Sequence, residues 1–249
     1  MKIALIGYGK MGHIIEQVAL KRGHTIVSKI DIHDLERFDS DDFKSADVAI
    51  EFTTPTTAFD NYQRCFAAGI PVVSGTTGWT ERLDEIKKQC ELEGQTFFYA
   101  SNFSIGVNIF FAVNKYLARL MNNFPEYDPT LFEEHHIHKL DAPSGTCITL
   151  ADDIVKEIDR KKQWRLHDEK IAPYPKKPTE DLMIRALREG DTIGFHEVCY
   201  ESFDDIMIFS HSVNDRSGFA LGAVLAAEFT TNNKGFLGMN DLLKIQTPN

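Results

Sequence analysis

The chain opens with an unbroken apolar run, Ile3 to Ile6, then a glycine-rich turn, then Ile14, Ile15, Val18 and Ala19 at helical spacing. An unbroken run suits a parallel strand covered on both faces, and recurrence every three or four residues suits a helix with one buried stripe. Gly23 stops that helix, and a second apolar strand, Thr25 to Ile30, leads into Asp31. The rhythm repeats as strand Asp47 to Phe52, helix Pro55 to Ala68, strand Ile70 to Ser74, helix Glu81 to Glu93 and strand Thr96 to Ala100. Such alternation predicts an α/β fold built on a doubly wound parallel sheet.

After Ser101 the pattern changes. An amphipathic helix is predicted from Val107 to Met121, a strand through Leu131 to His136 and a helix over Cys147 to Ile158. From Lys161 to about residue 180 lysine and proline dominate, and the stretch reads as an exposed excursion. Strands return at Ile193 to Ser202 and Ile206 to Ser212, and a helix from Phe219 to Thr230 closes the chain. Strands grouped after a βαβ array predict a second domain of α+β type.

With 249 residues, 43% hydrophobic and 26% charged, the chain has the composition of a globular protein and not of a disordered one. A net charge of −10 argues against a nucleic-acid partner, so an anionic ligand must be met by a local cluster of donors. Cys65, Cys90, Cys147 and Cys199 are scattered with no C-x-x-C pair, which indicates neither a disulfide framework nor a thiolate metal site. No apolar run has membrane-spanning length and "MKIALIGYGKMG" lacks a cleavage site, so a cytoplasmic protein without a membrane partner is expected.

The turn Gly7-Tyr8-Gly9-Lys10-Met11-Gly12 fits G-x-G-x-x-G between a strand and a helix. Gly7 permits the sharp turn, Gly9 lets backbone N–H groups approach a pyrophosphate, and Gly12 lets the helix press on the strand. Asp31 lies roughly twenty residues beyond, where a carboxylate accepts hydrogen bonds from the ribose hydroxyls of a dinucleotide. The ends of the next three strands, "FTTPTT", "SGTTGW" and "ASNFSIG", are small and polar and mark one rim, although each alone is also a good turn or helix cap.

The stretch "EEHHIHKLDAPSGT", Glu133 to Thr146, holds the densest chemistry. On a strand His136, His138 and Glu134 share a face that could bind a metal, but no further ligand cluster appears and the motif ends in a lysine that repels a cation, so no metal is expected. The other face carries Glu133, His135, Ile137 and Lys139. If the extended conformation persists, His135 and Lys139 converge, and like-charge repulsion makes the imidazole an acid near neutral pH. Ser144, Gly145 and Thr146 then begin a helix, where N–H groups and hydroxyls form an anion site. A proline turn with an N-cap accounts for the last part structurally, but not for the conjunction of histidine, lysine and helix end.

These residues resemble the signature of the 4-hydroxy-tetrahydrodipicolinate reductase (dihydrodipicolinate reductase) family, and "FTTP", "GTTG", "NFSIGVN" and "REGDTIGFHEV" are similar to family segments in the same order. The resemblance spans essentially the whole chain. It implies a Rossmann-like dinucleotide-binding domain, residues 1–103 completed by 214–249, and a substrate-binding and tetramerisation domain of residues 104–213. It implies NAD(P)H-dependent reduction of a small dicarboxylate in the diaminopimelate route to lysine, by a homotetramer. His135 and Lys139 take the acid/base and proton-donor positions, and His136, Ser144, Gly145 and Thr146 those that bind substrate carboxylates. The cofactor positions are Gly7, Tyr8, Gly9, Lys10, Met11, Gly12, Asp31, Gly75, Thr76, Thr77, Ala100, Ser101, Asn102 and Phe103. Asp141 falls where it can brace the loop, and Arg216 has no assigned role. Two departures from the family stand out: the glycine turn is one residue shorter than usual, with Tyr8 where alanine is common, and no arginine follows Asp31. An acid there repels a 2′-phosphate, so NADH is expected to be preferred and NADPH possible, with Lys10 and Lys29 able to soften the preference.

Overall fold

The computed structural model describes residues 1–167 and 180–245. In chain order the elements are β1 (Lys2–Ile6), α1 (Lys10–Lys21), β2 (Thr25–Ile30), α2 (Asp41–Lys44), β3 (Val48–Glu51), α3 (Pro55–Ala67), β4 (Val72–Ser74), α4 (Leu83–Leu92) and β5 (Thr96–Tyr99). There follow α5 (Ile105–Met121), β6 (Asp128–His135), α6 (Gly145–Glu157), β7 (Gln163–Leu166), β8 (Asp181–Arg188), β9 (Phe195–Glu201) and β10 (Ile206–Ser212). The described chain ends with α7 (Ser217–Thr230), β11 (Gly235–Leu237) and α8 (Met239–Leu243). No helix among the described residues is long and apolar enough to cross a membrane.

The chain forms two compact units, dividing at Ile105/Gly106 and Asp215/Arg216. The first holds a six-stranded parallel sheet in the order β11-β5-β4-β3-β1-β2. Successive residues of β1 serve opposite cores: Ile3 and Leu5 pack in the cluster containing Val224 and Ala227 of α7, while Ala4 and Ile6 pack in the cluster containing Tyr62 and Phe66 of α3. That is why the sequence run is unbroken, since neither face of the sheet meets water. Where the pattern predicts that the helix ending at Thr230 closes the chain, β11 adds a strand beside β5 and α8 follows it. "GFL" is too short a run to carry a period.

The second unit holds a mixed sheet in the order β10-β9-β6-β8-β7, with β9 antiparallel to both β10 and β6, and β8 parallel to both β6 and β7. Alternate residues of β6 are buried, so one face of the sheet packs on α5 and α6 through Leu131, Phe110, Leu150 and Ile154. The excursion read from Lys161 needs correction at both ends. Gln163–Leu166 is a strand paired with Asp181–Arg188, and the buried Lys161 ammonium reaches Asp128 at 2.6 Å. The central part of the expected excursion, 168–179, lies outside the described residues.

Candidate active site

In the first unit the turn after β1 has the geometry of an anion cradle. Gly7 has φ +88°, a left-handed conformation that suits glycine, and a Cβ there would lie 2.0 Å from the Phe52 carbonyl oxygen. A Cβ at Gly12 would meet the Gly7 carbonyl oxygen at 2.5 Å, so glycine lets α1 press on the turn. Gly9 caps α1 with no side-chain hydrogen bond and has open space beside it, which leaves the first N–H groups of the helix for a ligand. A cavity of about 460 Å³ is lined by Gly7, Gly9, Asp31, Phe52 and Thr53 among others. The glycine turn and Asp31 thus line one space. Lys10 and Met11 begin α1, with Lys10 exposed.

Other expected cofactor residues have their polar groups engaged elsewhere. Tyr8 donates its hydroxyl to Glu16, accepts from Lys29 Nζ at 3.0 Å, and rests its ring on His13. Lys29 also ion-pairs with Glu16 at 2.7 Å, so its charge is compensated. Gly75 to Thr77 and Ala100 to Phe103 follow β4 and β5. There Thr77 and Ser101 are exposed, Asn102 accepts from the Ser104 N–H at 2.9 Å, and Phe103 packs on Phe98. The Thr76 side chain is not a free donor: buried, it donates to the Glu51 carboxylate and accepts from the Thr53 N–H at 2.8 Å.

In the second unit, strand register gathers a charged cluster on the inner face of the sheet. Glu133 of β6 lies opposite His196 of β9, which lies opposite His211 of β10, and His135 pairs with Arg188 of β8. Glu133 is fully buried and accepts from Arg188 at 2.6 Å and from the Ser144 N–H at 3.0 and 3.1 Å, as well as from the Ser144 hydroxyl. Burial alone would raise this carboxyl, but His196, Ser144 and Arg188 around it outweigh burial and hold it at about 2. The neighbouring His135 is pushed down to about 4, chiefly by burial, with His196, Lys139 and Arg188 adding repulsion against the pull of Glu133. The expected imidazolium acid near neutrality is therefore corrected. Without ligand His135 is a neutral imidazole at pH 7, because desolvation outweighs the carboxylate 3.8 Å away.

The extended conformation does not persist to Lys139. β6 ends at His135, the Lys139 N–H bonds to the His136 carbonyl at 3.1 Å in a turn, and Ile137 is exposed. Lys139 Nζ donates to both Asp141 oxygens at 2.8 Å, which holds the Asp141 carboxyl below its usual range. Asp141 thus braces the ammonium, and its own carbonyl accepts from Arg188 at 2.6 Å. Ser144 proves to be a structural cap: its hydroxyl accepts from the Cys147 N–H and donates to Glu133, so neither of its donors is free for a ligand. Gly145 is exposed and open, and among the described residues the Gly145 and Thr146 N–H groups at the start of α6 meet no acceptor.

On the strand face weighed for a metal, Glu134 accepts from Thr192 and the His136 and His138 rings stand 6.1 Å apart. Among the described residues Glu133, His135 and His196 do converge with ligand-type atoms, but the Arg188 guanidinium against Glu133 opposes a cation there. Sequence reading passed over Glu133, Arg188 and His196 as a unit. Both distant partners lie in the segment "REGDTIGFHEV", whose arginine and histidine had no local reason to be singled out.

Family models described as dihydrodipicolinate reductase, N-terminus and C-terminus, match residues 1–103 and 106–243. The chain is 44% identical to the 4-hydroxy-tetrahydrodipicolinate reductase of Christiangramia forsetii, over 98% of each chain. It is 33% identical to that of Staphylococcus aureus, over 97% of this chain and all of the other. Among solved structures, the dipicolinate-bound dihydrodipicolinate reductase of Paenisporosarcina sp. TG-14 matches with a TM-score of 0.75 over 97% of this chain and 98% of that one. At 20% identity it speaks for the fold.

Proposed function

The chain belongs to the dihydrodipicolinate reductase family, and from that premise we propose how its residues carry out the family's reaction, NAD(P)H-dependent reduction of 4-hydroxy-tetrahydrodipicolinate in lysine biosynthesis. Once water has left the hydroxyl-bearing carbon the ring is a conjugated imine-alkene, and the nicotinamide, when bound, would supply the hydride that adds to it. The remaining work falls to side chains and backbone. The turn Gly7 to Gly12 holds the pyrophosphate against the α1 N-terminus, and Asp31 accepts from the adenosine ribose. Gly145 and Thr146 N–H groups receive one substrate carboxylate, with His136 beside them.

After hydride addition the ring carbon next to the nitrogen-bearing one is electron-rich and must take a proton. Lys139 Nζ, held by Asp141, and His135 are the groups that supply it. A dianionic substrate raises the affinity of His135 for a proton, since an opposite charge favours the cation. Protonation at the imidazole then accompanies substrate binding. Glu133, tied to Arg188 and Ser144, fixes the end of β6 and the start of α6 against each other. The observation that carries this reading is the gathering of His135, the Lys139–Asp141 turn and the open α6 start around one buried carboxylate.

NADH is the preferred cofactor in this reading, because Asp31 lines the cavity and Lys29 is already neutralised by Glu16. The assembly is a homotetramer formed through the outer face of the second sheet. Ile206 and Ile208 are more than half exposed there, and Phe132, Phe195 and Leu187 share that face. A cytoplasmic location accords with the reaction. Calorimetric titration with dipicolinate, a ring dicarboxylate, tests the substrate side. Binding that Lys139→Ala weakens about tenfold or more supports the assignment. Binding that is absent, or indifferent to Lys139, contradicts it.

A further inference from the structure

Glu51, the last residue of β3, is a carboxylate with no exposed surface and, among the described residues, no ion-pair partner. It accepts instead from a shell of uncharged donors. Oε1 takes the Thr53 N–H at 3.1 Å, the Thr53 hydroxyl and the Thr76 hydroxyl at 3.0 Å. Oε2 takes the Ser74 hydroxyl at 2.7 Å and the Thr76 hydroxyl at 2.9 Å. The shell extends further: Tyr62 bonds to Ser74 at 2.7 Å, and Asn61 donates to the Thr53 hydroxyl at 3.3 Å. Burial raises the Glu51 carboxyl above its usual range, so the group is held at a cost to folding. An apolar residue would fill the same place more cheaply. What the carboxylate adds is a fixed geometry for two backbone segments, the peptide after Phe52 and the peptide at Thr76, which the Thr53 N–H to Thr76 hydroxyl bond joins directly.

The strand order says which part of the cofactor those segments meet. Asp31 follows β2, the glycine turn follows β1, Thr53 follows β3 and Thr76 follows β4, and these four strands are consecutive neighbours in the sheet. A dinucleotide whose adenosine ribose meets Asp31 and whose pyrophosphate meets the glycine turn extends its other half over the ends of β3 and β4. Thr53 already lines the same cavity as Gly7 and Asp31. We propose that Glu51 is a positioning residue for the nicotinamide ring of the cofactor, acting through Thr53 and Thr76 without touching the ligand. This rests on the cofactor assignment made above.

The test titrates the full chain with NADH and with ADP-ribose, which lacks only the nicotinamide, for wild type and Glu51→Gln. In Glu51→Gln an amide N–H₂ faces hydroxyls that now have to turn away. NADH binding is expected to weaken about tenfold, the worth of roughly one good hydrogen bond, while ADP-ribose binding stays within about twofold. Glu51→Asp, which keeps the acceptor, is expected to recover part of the NADH affinity. Equal loss of both ligands, or loss of neither, overturns the proposal, because a merely structural residue does not distinguish them. If Glu51→Gln does not fold, Thr76→Val decides, since it removes the bridging hydroxyl and leaves the carboxylate in place. A wild-type chain that binds neither ligand overturns the cofactor assignment itself, and this inference with it.

Discussion

Lys139 and Asp141 form the shortest link between sequence and chemistry in this molecule. The sequence reading set Lys139 beside His135 on one strand face and took Asp141 only as a brace for the loop; the turn pairs Lys139 with Asp141 instead. Lys139→Ala is expected to lower kcat by about 10²- to 10⁴-fold, the usual worth of a positioned acid, in a nicotinamide absorbance assay. Asp141→Asn is expected to cost less, because it frees the ammonium without removing it. The partners of Glu133 were not legible, since Arg188 and His196 reach it only through sheet register. The cap made by Ser144 was legible beside its reading as a ligand contact, but its bond to Glu133 was not. Glu133 and His135 also set the acid response. His135 sits near 4 when folded against 6.5 ordinarily, so the unfolded chain takes up the proton first and stability falls as pH drops from about 6.5 to 4. Glu133 sits near 2 against 4.5, so its contribution is complete above 4.5 and is lost as pH falls toward 2. Urea melts across this range are expected to show a slope approaching 1.4 kcal/mol per pH unit for each proton, with the upper part flattened in His135→Gln.

Among the elements, those of the parallel sheet were readable because each obeys one strong rule. β1 from Ile3 and β3 up to Ile50 are buried on both faces and read as apolar runs, while α1 and α3 carry a single stripe. β7 was missed because three of its four residues are exposed and the alternation in "QWRL" is only four residues long, within a stretch dominated by lysine and proline. It exists by pairing with β8, a tertiary cause that local pattern does not record. The α6 start illustrates the opposite case, a local signal with a second use. Ser144→Ala removes the cap and leaves buried Glu133 short of a donor, so the loss is expected to exceed the roughly 1 kcal/mol of an ordinary cap. Denaturant unfolding of the variant checks this, and a loss within a few tenths of a kcal/mol would contradict the role given to Glu133.

At the scale of the molecule, the sequence read the order of chemistry along the chain better than the edges of its folded parts. The glycine turn and Asp31 do line one cavity, as their spacing requires. The outer face of the second sheet was invisible beforehand, because Ile206 and Ile208 read as ordinary strand residues until the partner strand was known. Ile208→Glu is expected to lower the mass found by light scattering, since a charge on that face opposes its burial between copies. The central claim is that this chain reduces a ring dicarboxylate with nicotinamide and a proton from the Lys139–His135 pair. The most direct measurement is NADH and NADPH oxidation with substrate generated in place from pyruvate and aspartate semialdehyde, for wild type, His135→Gln and Lys139→Ala. Rapid oxidation, faster with NADH, and severe loss in both variants are expected. Turnover that survives both substitutions would contradict it.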